Sequence, residues 1–367
     1  MGSPPDSGIE TIKEVMHVFD YIVIGAGSAG CVMAARLAEA HSVLLIEAGR
    51  ANPAWDFRLH MPAALSEVLT STRYNWAFET EPEPFLGQRN LYCPRGKVVG
   101  GSSSINGMIF VRGHAEDFNR WSEVYGASGW SYEDVLPFFK ASETKAGGDP
   151  DYRGHTGPLK ITNGDTSSPL CQAWLEAGES LGFGRTPDFN GETQEGFGPF
   201  DRTVADGLRQ SVARAYLSPK NNLGLSGLTI LTQAEVQHIA FDGDRAAGVQ
   251  VLVDGRLKSF QASREIILCA GAIKSPQVLM RSGIGSESAL KASGIECLVP
   301  RAEVGQNLQD HLEVYVQAAC PKPVSLYPST RGLRKLAVGA QWYLTKRGDG
   351  ATNHFHTGAF LRSGLDY

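Results

Sequence analysis

A short apolar run opens the most informative stretch of the chain. Residues 21–24, Tyr-Ile-Val-Ile, are apolar and mostly β-branched, which is typical of a strand buried on both faces. The pattern becomes helical from Cys31 to Ala40, and a second apolar run from Ser42 to Ile46 predicts another strand. The order strand, helix, strand predicts an α/β fold with a parallel sheet.

The turn between the first strand and the helix carries three glycines in the spacing G-x-G-x-x-G. Gly25 permits a tight turn, Gly27 lets the backbone approach a pyrophosphate, and Gly30 lets the helix pack closely on the strand. Ser28 and Ala29 begin the helix, whose first amides and dipole favour a phosphate group. The spacing therefore predicts the phosphate end of a dinucleotide site.

Glu47 follows the second strand, where a carboxylate can bind the hydroxyls of a ribose. The alternative interpretation is a glycine-rich turn that binds nothing, and it leaves Glu47 unexplained. The combination of strand, turn, helix, strand and terminal acid favours nucleotide binding.

Two later regions also have clear periodicity. Residues 130–144 predict a helix, with Ser131 as N-cap and Asp134 as its capping partner. Residues 229–255 alternate apolar and polar positions around two Asp-Gly pairs, which predicts a β-meander with two hairpin turns. A further strand at 264–271 and a helix at 275–282 follow, and the small residues between them suggest a second approach of backbone to the same nucleotide.

Residues 96–106 contain two adjacent glycines and three serines, a composition unsuited to a helix interior or a regular strand. Small residues with exposed backbone donors suit close contact with a flat ring or a phosphate. The segment is predicted to contact the ligand, and an ordinary Gly/Ser linker is the alternative.

Composition describes an ordinary globular protein, with 42% hydrophobic and 20% charged residues. The 34 basic and 39 acidic residues give a net charge of −5, so no nucleic-acid partner is expected. Six scattered cysteines without a C-x-x-C pair predict reduced thiols and a cytoplasmic location, and no metal site is predicted. Residues 1–15 are expected to form a flexible prefix without a secretory signal, with Met16 as an alternative start.

Three blocks together resemble the glucose–methanol–choline (GMC) family of FAD-dependent oxidoreductases: residues 25–47, 96–119 and 271–285. Within the family, bacterial choline-oxidising dehydrogenases are most similar, through segments such as 73–84, 304–317 and 352–360. The resemblance implies a Rossmann-like FAD-binding domain interleaved with an α+β substrate domain built on an antiparallel sheet. It assigns residues 16–158 and 202–310 to the FAD part, and 159–201 and 311–367 to the substrate part.

The resemblance also implies roles for individual residues. Gly25, Gly27, Ser28, Ala29 and Gly30 would hold the ADP pyrophosphate, Glu47 the adenosine ribose, and the backbone of Val236 the adenine. The residues expected to line the flavin are Gly101, Ser102, Asn106, Gly107 and Met108. Some members attach FAD through a histidine before the asparagine, but Ile105 occupies that position here, so FAD is expected to be non-covalent.

The implied activity is oxidation of a primary alcohol to an aldehyde, with choline to betaine aldehyde, a step of glycine betaine synthesis, as the expected reaction. His354 and His356 would face the substrate, although His356 stands where choline-oxidising relatives carry a glutamate. The family's catalytic histidine and its His or Asn partner are expected beyond Tyr367.

The alternatives are another GMC alcohol dehydrogenase for an aliphatic or polyol substrate, a catalytically silent FAD-binding fragment, or a simple NAD-dependent dehydrogenase. The flavin-type blocks argue against the last of these. The electron acceptor is expected to be a quinone or another oxidant, and the resemblance adds peripheral membrane association to the expected location.

Overall fold

The computed structural model describes residues 17–218 and 225–362. The helices in these ranges are α1 (Ser28–Leu37), α2 (Phe57–His60), α3 (Leu65–Leu69), α4 (Ala115–Glu123), α5 (Tyr132–Ser142), α6 (Pro169–Ser180), α7 (Val212–Tyr216), α8 (Gly271–Arg281), α9 (Glu287–Ala292) and α10 (Gly332–Thr345). The strands are β1 (His17–Ile24), β2 (Val43–Ile46), β3 (Phe78–Glu79), β4 (Tyr92–Cys93), β5 (Ile109–Phe110), β6 (Glu143–Lys145), β7 (Leu159–Asn163), β8 (Gly196–Pro199), β9 (Asp201–Arg202), β10 (Val204–Ala205), β11 (Leu208–Arg209), β12 (Leu228–Leu231), β13 (Ala234–Asp242), β14 (Arg245–Val253), β15 (Arg256–Leu268), β16 (Ile284–Gly285), β17 (Val299–Pro300) and β18 (Thr357–Phe360).

A six-stranded sheet forms the centre of the molecule, in the order β12-β2-β1-β15-β14-β13. The first four strands are parallel neighbours, with Tyr21 of β1 paired to Val43 on one side and Glu265 on the other. The last two join β15 as an antiparallel meander. The predicted parallel α/β sheet is therefore confirmed.

Alternate residues of β1 and β2 enter two different cores, as expected of strands that are covered on both faces. Ile22 and Leu44 pack with side chains of the meander and with Val278 of α8. Val23 and Val43 pack on the other face, against the small residues of α1. The prediction of a strand buried on both faces is confirmed.

The predicted helices are present, but their ends differ. Helix α1 stops at Leu37 rather than Ala40, because the amides of residues 40 and 41 both turn back to the Leu37 carbonyl. Helix α5 has the predicted Ser131 and Asp134 capping box but gives way to strand β6 at residue 143. Helix α8 begins at Gly271, four residues earlier than predicted.

The meander has both predicted hairpin turns, the second at the predicted residues 254–255 and the first at 243–244, one residue after the predicted Asp-Gly pair at 242–243. Two further details of that prediction are wrong. The run at 228–231 leaves the meander and pairs in parallel with β2. The separate strand predicted at 264–271 is the second half of β15, which continues from the hairpin straight into the parallel part of the sheet.

A second sheet of four strands, β5-β9-β7-β6, lies outside the central sheet. Its strands come from both predicted parts of the chain, and the division into FAD and substrate parts stays a prediction. The predicted prefix at 1–15 and the start at Met16 lie outside the described residues. In the described ranges, every helix is too short or too polar to span a bilayer.

Candidate functional site

A cavity of about 500 Å³ opens at the carboxyl ends of the parallel strands β1, β2 and β15. Ligands of open α/β sheets bind at this edge, outside the strand ends. The predicted residues that line the cavity are Gly25, Gly27, Ser28, Ala29, Glu47, Gly101, Ser102 and Val236. Gly30 lies buried beneath the turn.

The glycine turn has no room for side chains at two of its three glycines. Gly25 has φ +96°, and a Cβ there would lie 2.6 Å from the Cys269 carbonyl oxygen. A Cβ on Gly30 would meet the backbone of Gly25 itself. At Gly27 the nearest atom to such a Cβ is 3.9 Å away, so a methyl group would fit there without a clash. The turn therefore leaves a cradle above Gly27.

Two helix N-termini meet at this cradle. The N-cap residues are Gly27 for α1 and Ala270 for α8, and neither supplies a side-chain cap. The first amides of both helices are therefore available to an anion, which the helix dipoles also favour. Residues 269–275 line the same cavity as the glycine turn. This confirms the predicted second approach of backbone to one site.

Glu47 is buried at the end of β2, with its carboxylate held by two backbone amides. Oε2 accepts from the Ala26 amide at 2.9 Å, and Oε1 accepts from the Gly49 amide at 2.8 Å. Burial raises the pKa of Glu47 to about 7, although the two amides and the charge of Lys97 act in the opposite direction. The carboxylate lines the cavity and still has acceptor capacity for ribose hydroxyls.

Sequence reasoning missed a cationic group beside the cavity. The ammonium groups of Lys97 and Lys274 lie 4.2 and 4.3 Å from the ring centroid of Trp76. Trp76, Lys274 and Arg95 line the cavity. These residues are far apart in the chain, and only the fold brings them together.

The serine-rich loop, residues 96–108, approaches the glycine turn, and its contact with the ligand stays a prediction. A Cβ on Gly101 would lie 2.7 Å from the Cα of Gly27, so the two backbones touch. Asn106, Gly107 and Met108 lie beyond the cavity lining, further along the same loop. The Ile105 side chain is buried in a separate apolar cluster around Leu59 and Tyr74.

The predicted substrate segment packs directly against this loop. Asn353 Nδ2 donates to the Gly107 carbonyl at 2.8 Å, and the Phe355 ring lies over Gly107. His356 is half-buried, and its Nδ1 accepts from the Asp165 amide at 3.1 Å. Burial and the charge of Arg202 lower the pKa of His356. His354 is exposed. The structure thus brings segment 352–356 to the far end of the loop.

The shape and donors of the site fit a dinucleotide with two ends. Uncapped amides and the Gly27 cradle suit a pyrophosphate, and Glu47 suits a ribose. The serine-rich loop extends the site away from the glycine turn, as a second, larger ring system requires. These features define a dinucleotide-binding protein of the flavin type.

Comparison with known proteins agrees with this class. Residues 19–313 match the model of the GMC oxidoreductase family, so the chain belongs to that family. It is 49% identical to the oxygen-dependent choline dehydrogenase of Brucella anthropi, over 95% of this chain and 63% of that protein. The chain thus spans less than two thirds of the length of the curated relatives it matches.

Solved structures give the same fold and cofactor. Formate oxidase of Aspergillus oryzae superposes with a TM-score of 0.84 at 26% identity, over 95% of this chain and 62% of that one. An FAD-dependent oxidoreductase of Chaetomium thermophilum has a TM-score of 0.80 at 26% identity, over 92% and 61% of the two chains. The chain has the GMC flavoenzyme fold, and its cofactor is FAD.

Proposed function

We propose that this chain supplies the FAD site and one wall of the substrate site of an enzyme that oxidises choline to betaine aldehyde. The observation that carries the proposal is the contact between segment 352–356 and the serine-rich loop, in a chain 49% identical to a protein named oxygen-dependent choline dehydrogenase. That contact brings the expected substrate wall to the expected flavin wall.

The residues expected to hold FAD lie along the cavity and along the serine-rich loop that continues beyond it. The pyrophosphate would be held by Gly25, Gly27, Ser28, Ala29 and Gly30, the ribose by Glu47, and the adenine by the backbone of Val236. The residues that would hold the flavin are Gly101, Ser102, Asn106, Gly107 and Met108. Ile105 offers no nucleophile and is buried elsewhere, which supports non-covalent attachment.

FAD, when bound, accepts the hydride that leaves the alcohol carbon. The alcohol proton must leave at the same time, which requires a positioned base. Neutral His356 is poorly suited to that role, because the Asp165 amide already occupies the lone pair of Nδ1 and Nε2 then carries the proton. His356 instead forms part of the wall. Its lowered pKa keeps it uncharged near neutral pH, so it does not repel a quaternary ammonium group.

The test measures FAD binding and reduction by the alcohol in two separate steps. The purified chain is titrated with FAD, and bound flavin is read from its absorption and fluorescence. Anaerobic addition of choline should then bleach the bound flavin of an enzyme in which this chain is combined with the required base. The control is Gly27→Ala, in which a methyl group occupies the pyrophosphate cradle and flavin binding should fall.

Three results contradict parts of the proposal. Absence of flavin binding overturns the whole of it. Bleaching by aliphatic or polyol alcohols but not by choline favours another GMC alcohol dehydrogenase. Flavin that binds but stays oxidised with every alcohol favours a chain that binds FAD without catalysis.

The electron acceptor and location follow the resemblance to the family. A quinone is proposed as acceptor, with oxygen as the alternative suggested by the relatives' names. Reoxidation of the reduced chain by a soluble quinone, compared with air, distinguishes them. A cytoplasmic protein with peripheral membrane association is proposed, and co-sedimentation with lipid vesicles tests that association.

A further inference from the structure

Arg209 is a fully buried arginine without a carboxylate partner in the described part of the chain. It ends strand β11 just before α7. Burial lowers the pKa of Arg209 to about 9, so the guanidinium stays charged at neutral pH. Buried charges are normally paired, which makes this residue unusual.

The guanidinium holds the end of the serine-rich loop. Nη1 donates to the Asn106 carbonyl at 2.7 Å and to Asn106 Oδ1 at 2.9 Å. Asn106 Oδ1 in turn accepts from the Met108 amide. One side chain therefore fixes both the backbone and the amide group of Asn106, the residue expected beside the flavin.

The other two donor nitrogens of Arg209, Nε and Nη2, have no acceptor among the described residues. The pKa of Arg209 is lowered by burial alone, and no described carboxylate acts to raise it. Charges of both signs surround buried His60: burial and the charges of Arg214 and Arg209 lower its pKa, whereas the Pro53 carbonyl and Asp56 raise it. Arg209 itself thus has a charge behind Asn106 that no described carboxylate pairs with.

Helix α7 braces the same loop from a second point. Ser103 Oγ accepts from the Val212 amide at 2.9 Å and donates to the Gly100 carbonyl at 2.6 Å. The loop is thus held in place even without the guanidinium. The position of the loop and the effect of the charge behind it can therefore be tested separately.

Resting on the proposed function, we propose that Arg209 is a positioning residue that also favours reduction of the flavin. It aligns Asn106, and its uncompensated charge stabilises the negative charge that the flavin gains with a hydride from the alcohol. The balance is simple: oxidised flavin plus hydride gives reduced flavin with one additional negative charge. A cation in a low-dielectric interior acts on such a charge without touching it.

Three variants test this: Arg209→Lys keeps the charge, whereas Arg209→Gln and Arg209→Met remove it. The FAD dissociation constant and the two-electron reduction potential are measured by dye equilibration, which needs no alcohol substrate. In the uncharged variants the equilibrium constant for reduction of the flavin should fall at least tenfold, which corresponds to a reduction potential about 30 mV lower. In Arg209→Lys this constant should stay within threefold of that of the native chain.

The control is Arg245→Gln, because Arg245 also donates to backbone carbonyls but lies at the distant end of the meander. Its potential should be unchanged. A native potential in either uncharged variant, or an equal fall in all three variants, overturns the electrostatic role. If neither uncharged variant folds, a tenfold fall in Arg209→Lys with native FAD affinity also overturns it. Absence of FAD binding by the native chain contradicts the proposed function instead.

Discussion

Glu47 shows how one buried carboxyl group links the fold to the ligand. Its side chain joins the end of β2 to the glycine turn through the Ala26 amide and to the next loop through the Gly49 amide. Removing a carboxylate from water is costly, and burial raises the pKa of Glu47 from its usual 4.5 to about 7. The group therefore titrates near neutral pH.

The raised pKa predicts a pH-dependent stability of the FAD-free chain. A carboxyl group that is harder to ionise when folded contributes its full stability below pH 4.5 and loses it as the pH rises through about 7. The free energy of unfolding should thus fall by up to roughly 3 kcal/mol between pH 5 and pH 8, at 1.36 kcal/mol per pKa unit. Urea unfolding at several pH values measures this.

Glu47→Gln is the variant that isolates the effect, since it cannot titrate. Its free energy of unfolding should depend less on pH than that of the native chain over this range. Glu39→Gln, in an exposed pair with Arg36, serves as the control and should leave the pH dependence unchanged. Identical pH profiles for the native chain and Glu47→Gln contradict the prediction.

At the scale of elements, the β1–α1 turn uses its glycines for two separable purposes. A methyl group at Gly30 would collide with the Gly25 backbone, whereas one at Gly27 would meet only an atom 3.9 Å away. Gly30→Ala should therefore destabilise the fold by at least about 3 kcal/mol through overpacking. Gly27→Ala should change stability by less than about 1 kcal/mol and weaken FAD binding at least tenfold.

Urea unfolding and FAD titration of both variants measure these effects. Gly184→Ala is the control, because a Cβ there meets open space and its backbone is not in the left-handed region. A Gly27→Ala chain that binds FAD normally contradicts the assignment of the cradle to a pyrophosphate.

The sequence predicted these elements where local patterns are strong. The glycine spacing, the capping box of α5 and the two hairpin turns each depend on a few neighbouring residues, and all three were confirmed, with the first turn one residue later than predicted. The continuity of β15 was missed because it depends on which strands pair on each side. Arg209 and the Trp76 lysines were missed for the same physical reason, since tertiary packing alone gives them their partners.

At the scale of the whole molecule, a buried ion network joins the two predicted parts of the chain. Arg153 binds Glu143 from one part, and Asp188 and Asp201 from the other. Burial opposes its charge, but the Glu143 and Asp201 carboxylates outweigh this and raise the pKa of Arg153. Arg112 and Lys145 complete a network of three cations and three carboxylates.

Loss of the central cation, Arg153, should destabilise the fold strongly. Arg153→Met leaves buried carboxylates unpaired and should lower the free energy of unfolding by about 3–5 kcal/mol. Arg185→Met, which removes an exposed ion pair with Glu179, should cost less than about 1 kcal/mol. Urea unfolding compares the two. Equal costs contradict the view that this network holds the two parts together.

An exposed apolar segment is expected to favour contacts between molecules, whereas the buried ion network stabilises the single molecule. Val314 and Val316 are 78% and 95% exposed, and residues 306–320 form neither helix nor paired strand. Their apolar and polar positions alternate as in a strand, so unpaired backbone and apolar side chains face solvent together. Such segments pair with other chains.

The chain should therefore self-associate as its concentration rises. Replacing both Val314 and Val316 by lysine should reduce association and the binding of a hydrophobic dye at least twofold, because charge disfavours strand addition. Gln317→Lys adds charge to the same segment without removing apolar surface, and its effect should be smaller. Light scattering across a concentration series measures association. Equal association in the native chain and the double variant would show that another surface mediates self-association. The exposed leucines of α10, Leu333 and Leu336, would then be the next residues to replace.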